Sequence, residues 1–302
     1  MKKVFLTSAA LICFALNSIF ARYALGLEGI DAISYTTLRL LAGAFTLSLI
    51  FFIAKRPEGV FAKRRIAEGF FLFLYAATFS IAYKSLTAGT GALLLFGFVQ
   101  LTIIVYVGAF EKKTGIIQIF GAVIAFSGVV YLVTPAVSSP QIVSAFLMAC
   151  SGVAWGIYTL LGRKSENPAA DTTANFIQAS IFALISLTVI ITAGLGDINV
   201  TRNGAILAVI SGALTSGIGY IIWYKVLPGL GDILPAVFQL TVPLLTVILG
   251  IIFLSESASM RILLAGLLII GGVGLTIAAR NYRRSERTFS AVEAATTNLD
   301  KE

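Results

Sequence analysis

A few polar side chains stand inside the apolar runs of this 302-residue chain, and they are the ones able to act on a solute. Arg39 lies within "TLRLLAGAFTLSLIF". A guanidinium held there would grip a carboxylate or phosphate with two parallel hydrogen bonds. Gln100 lies within "LLLFGFVQLTIIV" and Gln239 within "AVFQLTVPLLTV". Each is a neutral amide with two donors and an acceptor. Asn17 interrupts the first apolar run, and Trp155 and Tyr158 stand three residues apart in another, on one face of a helix. Nothing in this set is catalytic. The chain has no histidine, which removes the common general base and any Ser-His-Asp set. There is no phosphate-cradling glycine loop ending in Lys-Ser/Thr, so no ATP motor, and no metal-ligand cluster or cofactor motif. Cys13 and Cys150 both fall in apolar runs, against a disulfide framework.

The solvent of these residues follows from composition. Hydrophobic residues make up 58% of the chain and charged residues 12%, about half the charge of an ordinary soluble domain. Mean hydropathy is +0.95. Lipid is the expected solvent. The net charge of +8 does not imply nucleic acid, because the cations cluster between apolar runs. Ten runs can span a bilayer, at about 4–26, 32–54, 66–86, 88–109, 115–134, 141–162, 172–194, 203–225, 232–254 and 260–280. The polar tail, 281–302, is expected to be disordered or to lie on the surface. The opening "MKKVFLTSAALICFALNSIFA" has features of a secretory signal, but its removal would break the repeat described below. It is read as the first span.

Orientation follows from the cations. With the N-terminus inside, only Arg22, Lys84, Arg202 and Arg261 of the 22 Lys and Arg fall outside, Arg39 lies within a span, and the rest fall inside. Both termini are then cytoplasmic.

The chain also repeats itself at about 140 residues. "AYKSLTAGTGALLLFGFVQLTIIV" is echoed by "IWYKVLPGLGDILPAVFQLTVPLLTV", aligning Gln100 with Gln239. Glu111 pairs with Glu256 and Gly121 with Gly266 at the same separation, and Asn17 falls opposite Gly156. Five spans per copy is odd, so the second copy enters the membrane in the opposite sense. The expected fold is all-α and integral to the membrane: ten transmembrane helices as two five-helix inverted-topology repeats, 1–137 and 138–280, then the tail. Secondary transporters share this architecture, with a site near the midplane between the halves.

Each half resembles an EamA-type unit of the drug/metabolite transporter superfamily. The resemblance rests on "LRLLAGA" in the second span, "AWGIY" in the sixth, and Glu followed by Gly in "EKKTGIIQIFG" and "ESASMRILLAG", and covers about residues 4–280. It implies a ten-helix metabolite carrier, often an exporter of amino acids or related molecules, in a bacterial inner membrane. The chain departs from the family where a tryptophan-glycine pair becomes Leu16-Asn17, and where the fourth span lacks the proline that the ninth has as Pro243.

The expected substrate-binding set is Asn17, Arg39, Gln100, Trp155, Tyr158 and Gln239. Each has a plainer alternative. The amides could join helices, worth about 0.6 kcal/mol each. The aromatic pair could be packing. Arg39, at about 1.5 Å per residue some 12 Å deep, could bind backbone carbonyls or reach outward. Glu111 and Glu256 read as caps or ion-pair partners, Trp223 as an interfacial anchor and Pro243 as a hinge. No carboxylate lies mid-span, which favours facilitated diffusion, exchange or coupling carried by the substrate over a proton relay. The partners expected are a small solute and the bilayer; no oligomeric state is read from the sequence. The rival function is a passive channel or pore.

Overall fold

The computed structural model describes residues 2–53, 66–111, 116–133, 139–162, 165, 167–226, 238–257 and 259–299. Among them the helices are α1 (Lys2–Arg22), α2 (Ala32–Ile53), α3 (Ile66–Ala82), α4 (Ala88–Glu111), α5 (Ile116–Val133), α6 (Ser139–Gly162), α7 (Pro168–Ala193), α8 (Arg202–Ile210), α9 (Gly219–Val226), α10 (Thr241–Leu254) and α11 (Met260–Leu299). No strand occurs among the described residues. Two π-helical segments extend the set. Tyr23–Leu27 prolongs α1, and Ser211–Ile218 joins α8 to α9 in one rod. Seven helical stretches are long and apolar enough to cross a membrane, and α3, α5 and α10 are shorter apolar helices. The start of α3 and both ends of α5 adjoin residues outside the described set.

Local chemistry sets the ends. Asn167 caps α7 by accepting from the Ala170 N–H, Pro168 follows where no N–H is needed, and Gly194 closes the helix at φ 62°. Thr201 caps α8 through the Gly204 N–H. Pro243 lies in the first turn of α10, where its missing N–H costs nothing, just after the turn at Leu240 that follows the helical Phe238 and Gln239. Of the two expectations for the tail, disorder is overturned: α11 runs on to Leu299. No Gly or Pro follows Gly274 to stop it.

The outside of the bundle is apolar, with Phe45, Phe52, Phe120 and Leu267 exposed, as lipid contact requires. Inside, α3 and α4 pack on α6, and α9 and α10 pack on α1. α2 lies against α7 and the Ser211–Ile218 segment, while α5 pairs with α11. Glycines permit the closest approaches. A Cβ on Gly272 would lie 2.4 Å from the Ala125 nitrogen, and one on Gly212 2.1 Å from the Arg39 carbonyl oxygen. The inner-loop cations Lys55, Arg56, Lys112, Lys113, Arg163 and Lys164, and the side chain of Glu111, lie outside the described residues.

Candidate functional site

A cavity of about 20 Å³, room for roughly one water, opens where α1, α3, α4, α6 and the α8–α9 rod converge. Asn17, Tyr75, Trp155, Thr215, Tyr220 and Gln239 are among its walls. Half of the expected set therefore meets here: Asn17, Trp155 and Gln239. The walls are mostly aromatic. The Trp155 ring lies tilted against three others, 4.8 Å from Tyr75, 5.4 Å from Tyr158 and 5.3 Å from Tyr220 between centres. Tyr158 stands behind Trp155, buried, with its hydroxyl 3.5 Å from the Asn175 amide.

Asn17 joins three helices. Its Oδ1 accepts from Ser211 Oγ at 2.7 Å and Thr215 Oγ1 at 3.4 Å, and its Nδ2 donates to Tyr75 Oη at 3.4 Å. Arg39 lies one shell back, 2% exposed. Its Nη2 donates to Tyr75 Oη at 3.1 Å and its Nε to Ser216 Oγ at 3.3 Å. The guanidinium lies 5.0 Å from the Phe79 ring centre and 5.4 Å from that of Tyr75. Its Nη1 has no hydrogen-bond partner. Thus Arg39 neither reaches the cavity wall nor extends toward the membrane surface. It reaches the cavity only through Tyr75. Gln100 lies elsewhere. It is 3% exposed, outside the cavity walls, and its Nε2 is unpartnered.

Sequence reasoning missed Ser211, Thr215 and Ser216. Their signal was a run of small polar residues, "SGALTSG", within the eighth apolar run. Their hydroxyls meet Asn17 and Arg39 from a π-helical segment, a form that recurs at functional sites. Trp223, expected at the interface, is buried edge-on to Phe14 at 5.7 Å.

Polar ties join one end of the bundle. Arg22 Nε meets Glu256 Oε1 at 3.2 Å, and both side chains are mostly buried. Arg22 Nη1 donates to the carbonyls of Tyr83 and Lys84, each at 3.2 Å. Glu256 Oε2 accepts from the Ala88 N–H at 2.8 Å, capping α4 at the positive end of its dipole. Nearby, the Asp31 N–H donates to the Asn199 carbonyl at 2.9 Å, and Asn203 Nδ2 donates to Glu28 at 3.2 Å. At the opposite end, Asn175 Nδ2 donates to Glu68 Oε2 at 3.0 Å, joining α7 to α3.

Residues 142–278 match the EamA-like transporter family. An uncharacterized protein of Pseudomonas aeruginosa is 40% identical over 279 residues, 92% of this chain and 96% of that one. Two proteins of Archaeoglobus fulgidus described as uncharacterized transporters are 27% identical over 170 residues and 28% over 166, in each case 54% of this chain and 58% of the other. A crystal structure 17% identical in sequence shares the fold, with a TM-score of 0.64 over 91% of this chain and 96% of that one.

Proposed function

The chain belongs to the EamA-like transporter family and is a membrane transporter, and we propose that it carries a small polar organic metabolite, such as an amino acid, outward by alternating access without ATP. The substrate would bind in the Asn17–Tyr75–Trp155–Gln239 cavity, with Arg39 and Tyr158 behind its walls and Gln100 farther off. Both termini would face the cytoplasm of a bacterial inner membrane. In this reading residues 1–137 and 138–280 are inverted repeats followed by a polar tail.

The observation that carries the proposal is the pairing of helices around the cavity. α3 meets α6 as the α8–α9 rod meets α1. α4 meets α6 as α10 meets α1, and α2 meets the α8–α9 rod as α3 meets α7. The same packing, written twice across the centre, suits two halves that exchange conformations around one site. With room for roughly one water, this cavity would admit a metabolite only when the helices part, as alternating access requires.

The test is counterflow in reconstituted vesicles. Vesicles preloaded with neutral, anionic or cationic amino acids, or a nucleoside, receive a trace of the same labelled solute outside. A carrier gives saturable uptake and transient accumulation of label above equilibrium for at least one solute. Flux that neither saturates nor overshoots would establish the pore instead.

A further inference from the structure

Tyr75 is the hinge of the polar site, and its hydrogen bonds can be counted. A phenolic hydroxyl has one proton to donate and an oxygen that accepts. Arg39 Nη2 and Asn17 Nδ2 both donate to that oxygen. The proton is left to donate, and no described residue accepts it. Tyr75 is 4% exposed and lines the cavity, so an unmatched donor belongs to a nearly closed site.

Among the described residues, the charge behind this donor is unmatched too. The groups facing Arg39 are hydroxyls and rings: Tyr75, Ser216, Tyr35, Tyr220 and Phe79. Among the described residues no carboxylate bonds to it, and its Nη1 bonds to nothing. The carboxylate of Glu256 is engaged with Arg22 at the end of α1. A guanidinium sealed in a low-dielectric interior without a counter-ion is costly, and so marks a place where negative charge arrives. A hydroxyl whose oxygen is held by that guanidinium is also a stronger donor than a free phenol.

Resting on the transporter reading, we propose that the cavity selects a carboxylate-bearing solute, one oxygen of which accepts from Tyr75 Oη. Arg39 is a positioning residue. It supplies the counter-charge through Tyr75 and never needs to enter the cavity. The bare amine of the same skeleton is disfavoured there, because the positive field repels it and Tyr75 offers it only a donor.

The experiment uses matched solutes on the purified full chain: leucine, 4-methylpentanoate and 3-methylbutylamine, and phenylalanine, 3-phenylpropionate and 2-phenylethylamine. Binding is read from the fluorescence of Trp155, in contact with Tyr75, in a Trp223→Phe background, and from counterflow. At least one carboxylate should bind, and its amine counterpart at least tenfold more weakly. Tyr75→Phe keeps the ring and should weaken the carboxylate about tenfold or more, the effect of losing one charged hydrogen bond. Arg39→Gln should lower the carboxylate-to-amine ratio, and Arg39→Lys should restore part of it. A merely structural role would weaken all solutes alike and leave that ratio unchanged. The proposal is overturned if amines bind as tightly as carboxylates, if other solutes of the counterflow panel move while no carboxylate binds, or if Tyr75→Phe leaves carboxylate affinity intact. Where solutes still show counterflow, each of these results leaves the carrier standing. If no solute of any class binds or moves, the transporter reading falls first and takes this one with it.

Discussion

Replacing Glu256 by Gln should open one end of the bundle. The carboxylate makes two charged contacts, with Arg22 Nε at 3.2 Å and with the Ala88 N–H at 2.8 Å. Through Arg22 it also holds the carbonyls of Tyr83 and Lys84. It thus binds the end of α1 and the α3–α4 turn to the α10–α11 connection, first half to second. The side chains of Arg22 and Glu256 are 19% and 15% exposed, so solvent screens them only in part. The bare attraction at 3.2 Å, taken at an effective dielectric near 20, is about 5 kcal/mol, and desolvation offsets much of it. Losing the charge while keeping one amide acceptor should cost about 2 kcal/mol of the tied arrangement, the scale of one charged hydrogen bond. That is roughly a 30-fold shift toward the arrangement in which the tie is already broken. The cavity residue Ser18 reports it. With the free thiols Cys13 and Cys150 changed to Ser, a Ser18→Cys protein in right-side-out vesicles is labelled by an impermeant maleimide. Glu256→Gln should raise the labelling rate about 30-fold from outside. Arg261→Gln, at a contact with Tyr131 away from the tie, should not. A rate within about threefold of the parent, or a rise seen only from the cytoplasmic side, would refute the reasoning.

Four further substitutions probe the packing. Gly272→Ala would set a Cβ 2.4 Å from the Ala125 nitrogen, whereas Gly271→Ala meets nothing within 4 Å. The first should therefore cost about 1–3 kcal/mol and lower Tm in detergent, and the second should leave Tm unchanged or slightly higher; equal effects would deny the close α5–α11 contact. Gln100→Met removes a buried amide nitrogen that has no partner, so Tm should rise, with a gain of up to about 1–3 kcal/mol, and a fall would assign that amide an interaction the fold does not display. Gly212→Ala would place a Cβ 2.1 Å from the Arg39 carbonyl oxygen, and should lower both Tm and counterflow by forcing α2 off the Ser211–Ile218 segment. Wild-type values for both would mean that α2 and this segment do not approach so closely.

The glutamine pair shows where sequence reading reaches its limit. Gln100 and Gln239 occupy matching places in a duplicated pattern, yet Gln239 lines the cavity and Gln100 is buried outside it. α4 runs unbroken from Ala88 past Gln100, whereas Gln239 sits ahead of the first turn of α10. Equivalent positions in the sequence thus belong to different local backbones, and an amide's neighbours depend on the backbone. Arg39 is a second case. Its place within a span was legible, but not that Tyr75 would stand between it and the cavity, because Tyr75 comes from another helix.

The sequence alone was enough to identify the solvent, the apolar runs and the family. These are sums over many residues: an excess of apolar side chains, runs about 20 long, a pattern written twice. A sum survives errors at single positions. The tertiary structure decided which side chains meet. That depends on the rotation of each helix about its own axis, and one residue of offset turns a face by about 100°. The Ser211–Ile218 segment makes such an offset by leaving the α-helical period, so a 3.6-residue count through the eighth run misplaces Tyr220 and Trp223. Packing set that rotation. Gly212 lets α2 close onto the segment, and the hydroxyls of Ser211, Thr215 and Ser216 then reach Asn17 and Arg39.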